Sequence, residues 1–151
     1  MALPPRIDWS TPLWLACGKR TPFARVDGPL KAYDAIALSV PVVRAMTAGL
    51  RSGESPDLAI WGTVAPNLAY SNIAREVWLD AGLDPRVPAF STVMACATSM
   101  AAAFAAAGML ASSAGSGGAT VSTPTVGDTV DSAADAAGAV LARTIKESVP
   151  K

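Results

Sequence analysis

The sequence predicts an α/β fold, on three observations. Short apolar runs of strand length alternate with segments of helical spacing over the first 110 residues. Those short runs are apolar at successive positions, as expected of strands covered on both faces. The tract 98–111 is apolar all round, which predicts a buried helix. Strand–helix alternation of this kind predicts a parallel sheet with right-handed crossovers.

The elements follow in order. "PLWLACG" (12–18) is short, apolar and closed by glycine, and reads as a strand. "KRTPFARVDGPLK" (19–31) is a loop punctuated by Pro22 and Gly28-Pro29. In 32–50, Ile36, Val40, Val43, Met46 and Leu50 recur at helical spacing. Gly49 stands where a C-cap belongs, and Pro41 is expected to kink or split the helix. "LAIWGTV" (58–64) is a second strand. In "SNIAREVWLDAGLDP" (71–85), Ser71 or Asn72 can cap a helix whose Ile73, Val77 and Ala81 share a face. Gly82-Leu83 fits a Schellman end, with Pro85 just beyond. "PAFSTVMA" (88–95) is the third strand, and "TSMAAAFAAAGMLA" (98–111) the third helix.

The remainder divides the chain into 1–111 and 112–151. Residues 112–127 read as a low-complexity loop, and 131–149 as a weak terminal helix. Asp128 or Asp131 would lie near that helix's start, and Arg143 and Lys146 near its end.

Composition narrows the function. Twelve Lys and Arg balance 12 Asp and Glu, with no basic cluster, so no nucleic-acid partner is expected. The sequence has no histidine, and its two cysteines, Cys17 and Cys96, have no metal-ligand spacing. No metal site and no Ser-His-Asp or Cys-His chemistry within this chain is expected. Reduced thiols and a cytoplasmic setting fit, and "MALPPRIDWS" does not read as a secretory signal. No charged residue occurs from Val87 to Gly127. Residues 93–111 are long enough for a membrane span, but they are mostly alanine and lack flanking basic clusters. No span is expected, and a small membrane protein is kept as an alternative.

Cys96 falls where the third strand hands over to the third helix. In open α/β sheets ligands bind at this carboxyl end of the strands. A helix N-terminus favours the anionic form of a thiol, and backbone N–H groups there could polarise a carbonyl oxygen. Ala95 and Ala97 leave room for a substrate. The competing reading is a buried cysteine packed as a small hydrophobe, and Cys17 is given only that reading.

Three segments, "GKRTPFAR" (18–25), "SNIAREVWLDAGLDPRVPAFS" (71–91) and "TVMACATSMAAA" (92–103), resemble the N-terminal part of the thiolase family. They stand in the family's order and approximate spacing. Their wording is similar to the 3-ketoacyl-CoA thiolases of fatty-acid β-oxidation, over about residues 13–110. The resemblance implies a layered α-β-α fold with a mostly parallel sheet, here incomplete. It implies acyl transfer to or from coenzyme A through a thioester on Cys96. Acyl-CoA is then a substrate, with no covalently bound cofactor. Arg20, Asn72 and Arg75 match the family's motifs and are read as structural supports. Arg20, with Thr21 and Pro22, shapes the loop after the first strand, and Asn72 and Arg75 orient the segments beside the cysteine. A homo-oligomer, or a partner thiolase subunit, is expected.

The chain departs from the family in two ways. Thr98-Ser99 stands after the cysteine where Ser-Gly is more usual, and after Leu110 the resemblance stops. A thiolase subunit is more than twice as long, and its second half supplies a histidine and a further cysteine as acid and base. The expectation is a truncated, frame-shifted or degenerate form with impaired activity alone. The alternative is a non-catalytic association module derived from the family.

Overall fold

The computed structural model describes residues 13–15, 18–50, 54–66, 68–113, 119–122 and 139–144. Five strands, β1 (Leu13–Leu15), β2 (Leu58–Gly62), β3 (Ala89–Thr92), β4 (Ala119–Ser122) and β5 (Ala139–Thr144), form one sheet in the order β1-β4-β5-β2-β3. Three helices are described, α1 (Ala35–Thr47), α2 (Ile73–Asp80) and α3 (Thr98–Ser113).

The α/β class holds, and the layering is α-β-α. β2 is buried at all five positions, and its side chains alternate between two cores. Ala59 and Trp61 join α1 and α2 on one face, with Ile36, Val43, Met46, Val77 and Trp78. Leu58 and Ile60 meet Ala102, Ala106 and Leu110 of α3 on the other. This explains why the sequence of β2 shows no polar alternation.

The sheet is mixed. β2–β3 and β1–β4 are parallel, whereas β5 runs antiparallel to both β4 and β2. The parallel pairing of the second and third strands agrees with the sequence. The first strand does not join them directly, because β5 and β4 lie between.

β4 and β5, both beyond residue 111, join the same sheet as β1, β2 and β3. β4 lies within the expected 112–127 loop, and β5 occupies 139–144 of the expected terminal helix. Thr120 and Val121, and Val140 and Thr144, carry β-branched side chains, and a place between paired strands outweighs weak helical propensity. The other residues of that expected helix, 131–138 and 145–149, lie outside the described residues.

Pro41 does not split its helix, since α1 runs through it from Asp34, whose carboxylate accepts from Ala37 N–H at 2.8 Å. Ala37, whose carbonyl loses a donor to the proline, and Pro41 itself are both exposed, so water can replace the missing bond. Gly49 closes α1 through ordinary turn bonds, Ala48 N to Arg44 O at 2.9 Å and Gly49 N to Met46 O at 3.2 Å. The Schellman end of α2 is present. Gly82 has φ 70°, its N–H reaches Leu79 O, and Leu83 N–H reaches Trp78 O. Arg44 ties α1 to that end by donating to Ala81 O at 3.0 Å and Asp80 O at 3.2 Å.

α3 is only partly buried, contrary to its sequence. Thr98, Ala102, Ala106 and Leu110 form the buried stripe, one residue every four. Met100, Phe104 and Met109 are exposed, Phe104 by 68%. No described helix is long and apolar enough to cross a membrane.

Candidate active site around Cys96

β3 gives way to α3 through Val93, Met94 and a 3-10 turn, Ala95–Ala97. The parallel pair β2–β3 therefore delivers Cys96 beyond its carboxyl end, as the sequence predicted. Cys96 is a free thiol and exposed. The packed-hydrophobe reading fails for this residue. Cys17 lies outside the described residues.

The turn is held tightly. Ala97 N–H donates to Met94 O at 3.0 Å, and Ala95 has a left-handed φ of 44°. Thr98, 2% exposed, anchors the turn from below. Its hydroxyl accepts from Met94 N–H at 2.8 Å and donates to Ala95 O at 2.7 Å, with Thr63 O a weaker acceptor at 3.4 Å. This resembles the returning half of a capping box, in which a side chain inside the helix satisfies an N–H before it. The γ-methyl of Thr98 sits where a Cβ on Gly62 would fall, so the glycine at the end of β2 lets α3 approach. Sequence reading missed Gly62 and gave Thr98 no role. The available signals were a glycine closing a buried strand and a β-branched hydroxyl two residues after the thiol.

The three supporting residues make their hydrogen bonds to the loop after β1 and to residues 75–91. Arg20 is exposed, stacks over the Phe23 ring at 4.0 Å, and donates to Thr21 O at 3.1 Å. These contacts organise the loop after β1. Asn72 caps α2 by accepting from Arg75 N–H at 3.3 Å, and its amide donates to Ala89 O at 3.0 Å. Ser91, unmarked in the sequence, donates to Asn72 Oδ1 at 2.9 Å and accepts from Ala74 N–H at 3.0 Å. Arg75 is no solvated charge. It donates to Val87 O at 3.1 Å and Pro85 O at 2.9 Å. Asn72 and Arg75 thus seat α2 on the segment that leads into β3, and their bonds end on residues 85–91, before the strand reaches the thiol.

The α2–β3 loop carries one perturbed carboxyl. Hydrogen bonds from the Arg86 side chain, at 2.7 Å to Oδ2 and 3.0 Å to Oδ1, lower Asp84 from 3.8 to about 2, with a further contribution from the Arg86 backbone N–H.

With this geometry established, three kinds of likeness agree. The family model for the thiolase N-terminal domain matches residues 14–122, running past Leu110 through β4. A 3-ketoacyl-CoA thiolase from Vibrio cholerae is 37% identical over 92 residues, covering 59% of this chain and 21% of the relative. One from Shewanella sp. is 36% identical over the same shares. The chain therefore spans about a fifth of the length of these relatives. Among solved structures, the Acat5 thiolase from Ascaris suum, in complex with coenzyme A, superposes with a TM-score of 0.58 at 18% identity. That match covers 74% of this chain and 29% of the other. An HMG-CoA synthase from Bacillus subtilis superposes at 0.52 with 16% identity, covering 76% and 30%. Those two structural likenesses bear on the fold alone. On the family match over most of its length, the chain belongs to the thiolase family and carries the thiolase N-terminal domain.

Proposed function

We propose that this chain supplies the nucleophile of a thiolase-type acyl transfer, with acyl-CoA as substrate and Cys96 as the acyl acceptor. The observation that carries the reading is the position of Cys96, a free exposed thiol on the turn from β3 into α3. In the transfer, Sγ attacks the thioester carbonyl, a new carbon–sulfur bond forms, and the bond to coenzyme A breaks. The Cys96 proton leaves with the departing thiol, so the exchange balances. Attack by a free coenzyme A thiol reverses it.

The chain alone is proposed to turn over slowly. It has no histidine, so general acid–base help, worth roughly 10²–10⁴-fold, must come from elsewhere. Met100 and Phe104, exposed one helical turn apart on the side of α3 away from its buried stripe, support association with a second copy or a partner thiolase subunit. A free exposed thiol accords with a reducing, cytoplasmic setting.

Incubation with acetyl-CoA and with a longer acyl-CoA, followed by intact mass and by assay of released coenzyme A, tests the reading. One acyl group per chain is expected, and none in Cys96→Ala. An adduct that persists in Cys96→Ala would assign the acceptor elsewhere.

A further inference from the structure

Cys96 sits on a turn whose shape is set by a residue that has no contact role in the transfer described above. We propose that Thr98, seated on Gly62, is the positioning residue that holds Cys96 for attack; the inference rests on the reading of Cys96 as nucleophile. Three observations converge on it. Thr98 is almost wholly buried, at 2% exposure, although it is polar and stands at the first position of α3. Its hydroxyl is engaged on both sides of the turn, receiving Met94 N–H and donating to Ala95 O. Ala95, bracketed by those two contacts, carries the left-handed φ of 44° that an L-residue with a Cβ rarely adopts.

The backbone at Ala95 sets the direction in which the next residue leaves the strand. A relaxed, negative φ there would swing Cys96 off its present course at the end of β3. The Thr98 hydroxyl opposes that relaxation, since Met94 N–H and Ala95 O keep their partner only in the observed turn. Gly62 fixes the height of Thr98 over the sheet. A Cβ on Gly62 would overlap the Thr98 γ-methyl and lie 3.3 Å from both Thr98 Cβ and Thr92 Oγ1. The two residues thus divide the task. The hydroxyl shapes the turn, and the missing Cβ at Gly62 leaves the space in which Thr98 sits. Neither touches the reacting atoms, so the role is one of presentation.

The test uses the full chain and two readouts. The one-bond Cα–Hα coupling of Ala95, measured by NMR, distinguishes positive from negative φ. The rate of Cys96 acylation by acetyl-CoA, followed by intact mass, reports the chemistry. Thr98→Val keeps the shape and removes the hydroxyl. It is expected to lose the positive-φ signature and to slow acylation about ten-fold, and Thr98→Ser is expected to restore both. Gly62→Ala is expected to lose the signature too, and Gly62→Ala/Thr98→Ser, which removes the colliding methyl, to recover it. That pair decides the matter if Thr98→Val does not fold. An unchanged Ala95 coupling in Thr98→Val, or failure of the serine and double variants to recover it, overturns the proposal. If the wild type shows the Ala95 signature and its loss in Thr98→Val, yet never acquires an acyl group, the acyl-transfer reading fails while the control of the turn by Thr98 stands.

Discussion

A left-handed alanine one residue before a thiol is a costly arrangement, since an L-residue there gives up roughly 1–2 kcal/mol. Ala95 keeps it, at φ 44°, because the surrounding hydrogen bonds over-determine the turn. At the same scale, Asn72 serves three ends at once. It caps α2, donates to Ala89 O, and accepts from Ser91. Asn72→Ala is expected to destabilise the fold by about 2 kcal/mol, combining a lost cap with a lost half-buried bond, as read by urea unfolding. The Asp84 carboxyl gives a pH prediction. Its folded value, about 2, lies below its ordinary 3.8, so its contribution is present above pH 4 and is lost as pH falls through about 2. The difference in Tm between wild type and Asp84→Asn is expected to be constant from pH 7 to 5 and to shrink between pH 4 and 2. A difference that stays constant down to pH 2 would contradict this assignment.

Among the elements, α3 has the most divided character. Its buried stripe is built on small residues. Ala102 and Ala106, both fully buried, lie against Leu58 and Ile60 with little space for more. Ala106→Leu is expected to destabilise by about 1–3 kcal/mol through overpacking, whereas Ala105→Leu, on a half-buried position, should cost less; thermal unfolding compares them. This helix also marks a limit of sequence reading. Uniform apolarity from 98 to 111 predicted burial on every side, but hydrophobicity alone cannot tell which neighbours are present to cover each face. α2 was far more legible. Asn72, the Ile73–Val77 face, Gly82 and Leu83 each signal a local event, and each occurs in place. Pro41 misled because its effect depends on whether the orphaned carbonyl can reach water, and Ala37 is an exposed residue. β4 and β5 were missed because their residues gain strand structure from pairing with β1 and β2, a non-local effect.

Over the whole molecule, two cores on opposite faces of one sheet fix the site between them. α1 and α2 cover one face, and α3 covers the other. The candidate site was legible as far as the thiol itself. The strand-to-helix changeover and the three family-like segments pointed to Cys96, and it stands exposed at the end of β3. Its supports were not legible, since Gly62 and Thr98 lie 36 residues apart in sequence and meet only through the packing of α3 on β2. The exposed side of α3 makes a further prediction at this scale. Phe104→Lys is expected to shift gel-filtration elution toward the monomer at high concentration without lowering Tm, since Phe104 is outside the core. Elution identical to wild type at every concentration would remove that face as a contact. The central claim, that the thiol of Cys96 accepts the acyl group, is tested most directly by mapping the modified residue. After exposure to acetyl-CoA and protease digestion, mass spectrometry should place the acyl group on the peptide containing Cys96, in a linkage cleaved by hydroxylamine. An acyl group found only on other residues, or in a hydroxylamine-resistant amide, would contradict the account.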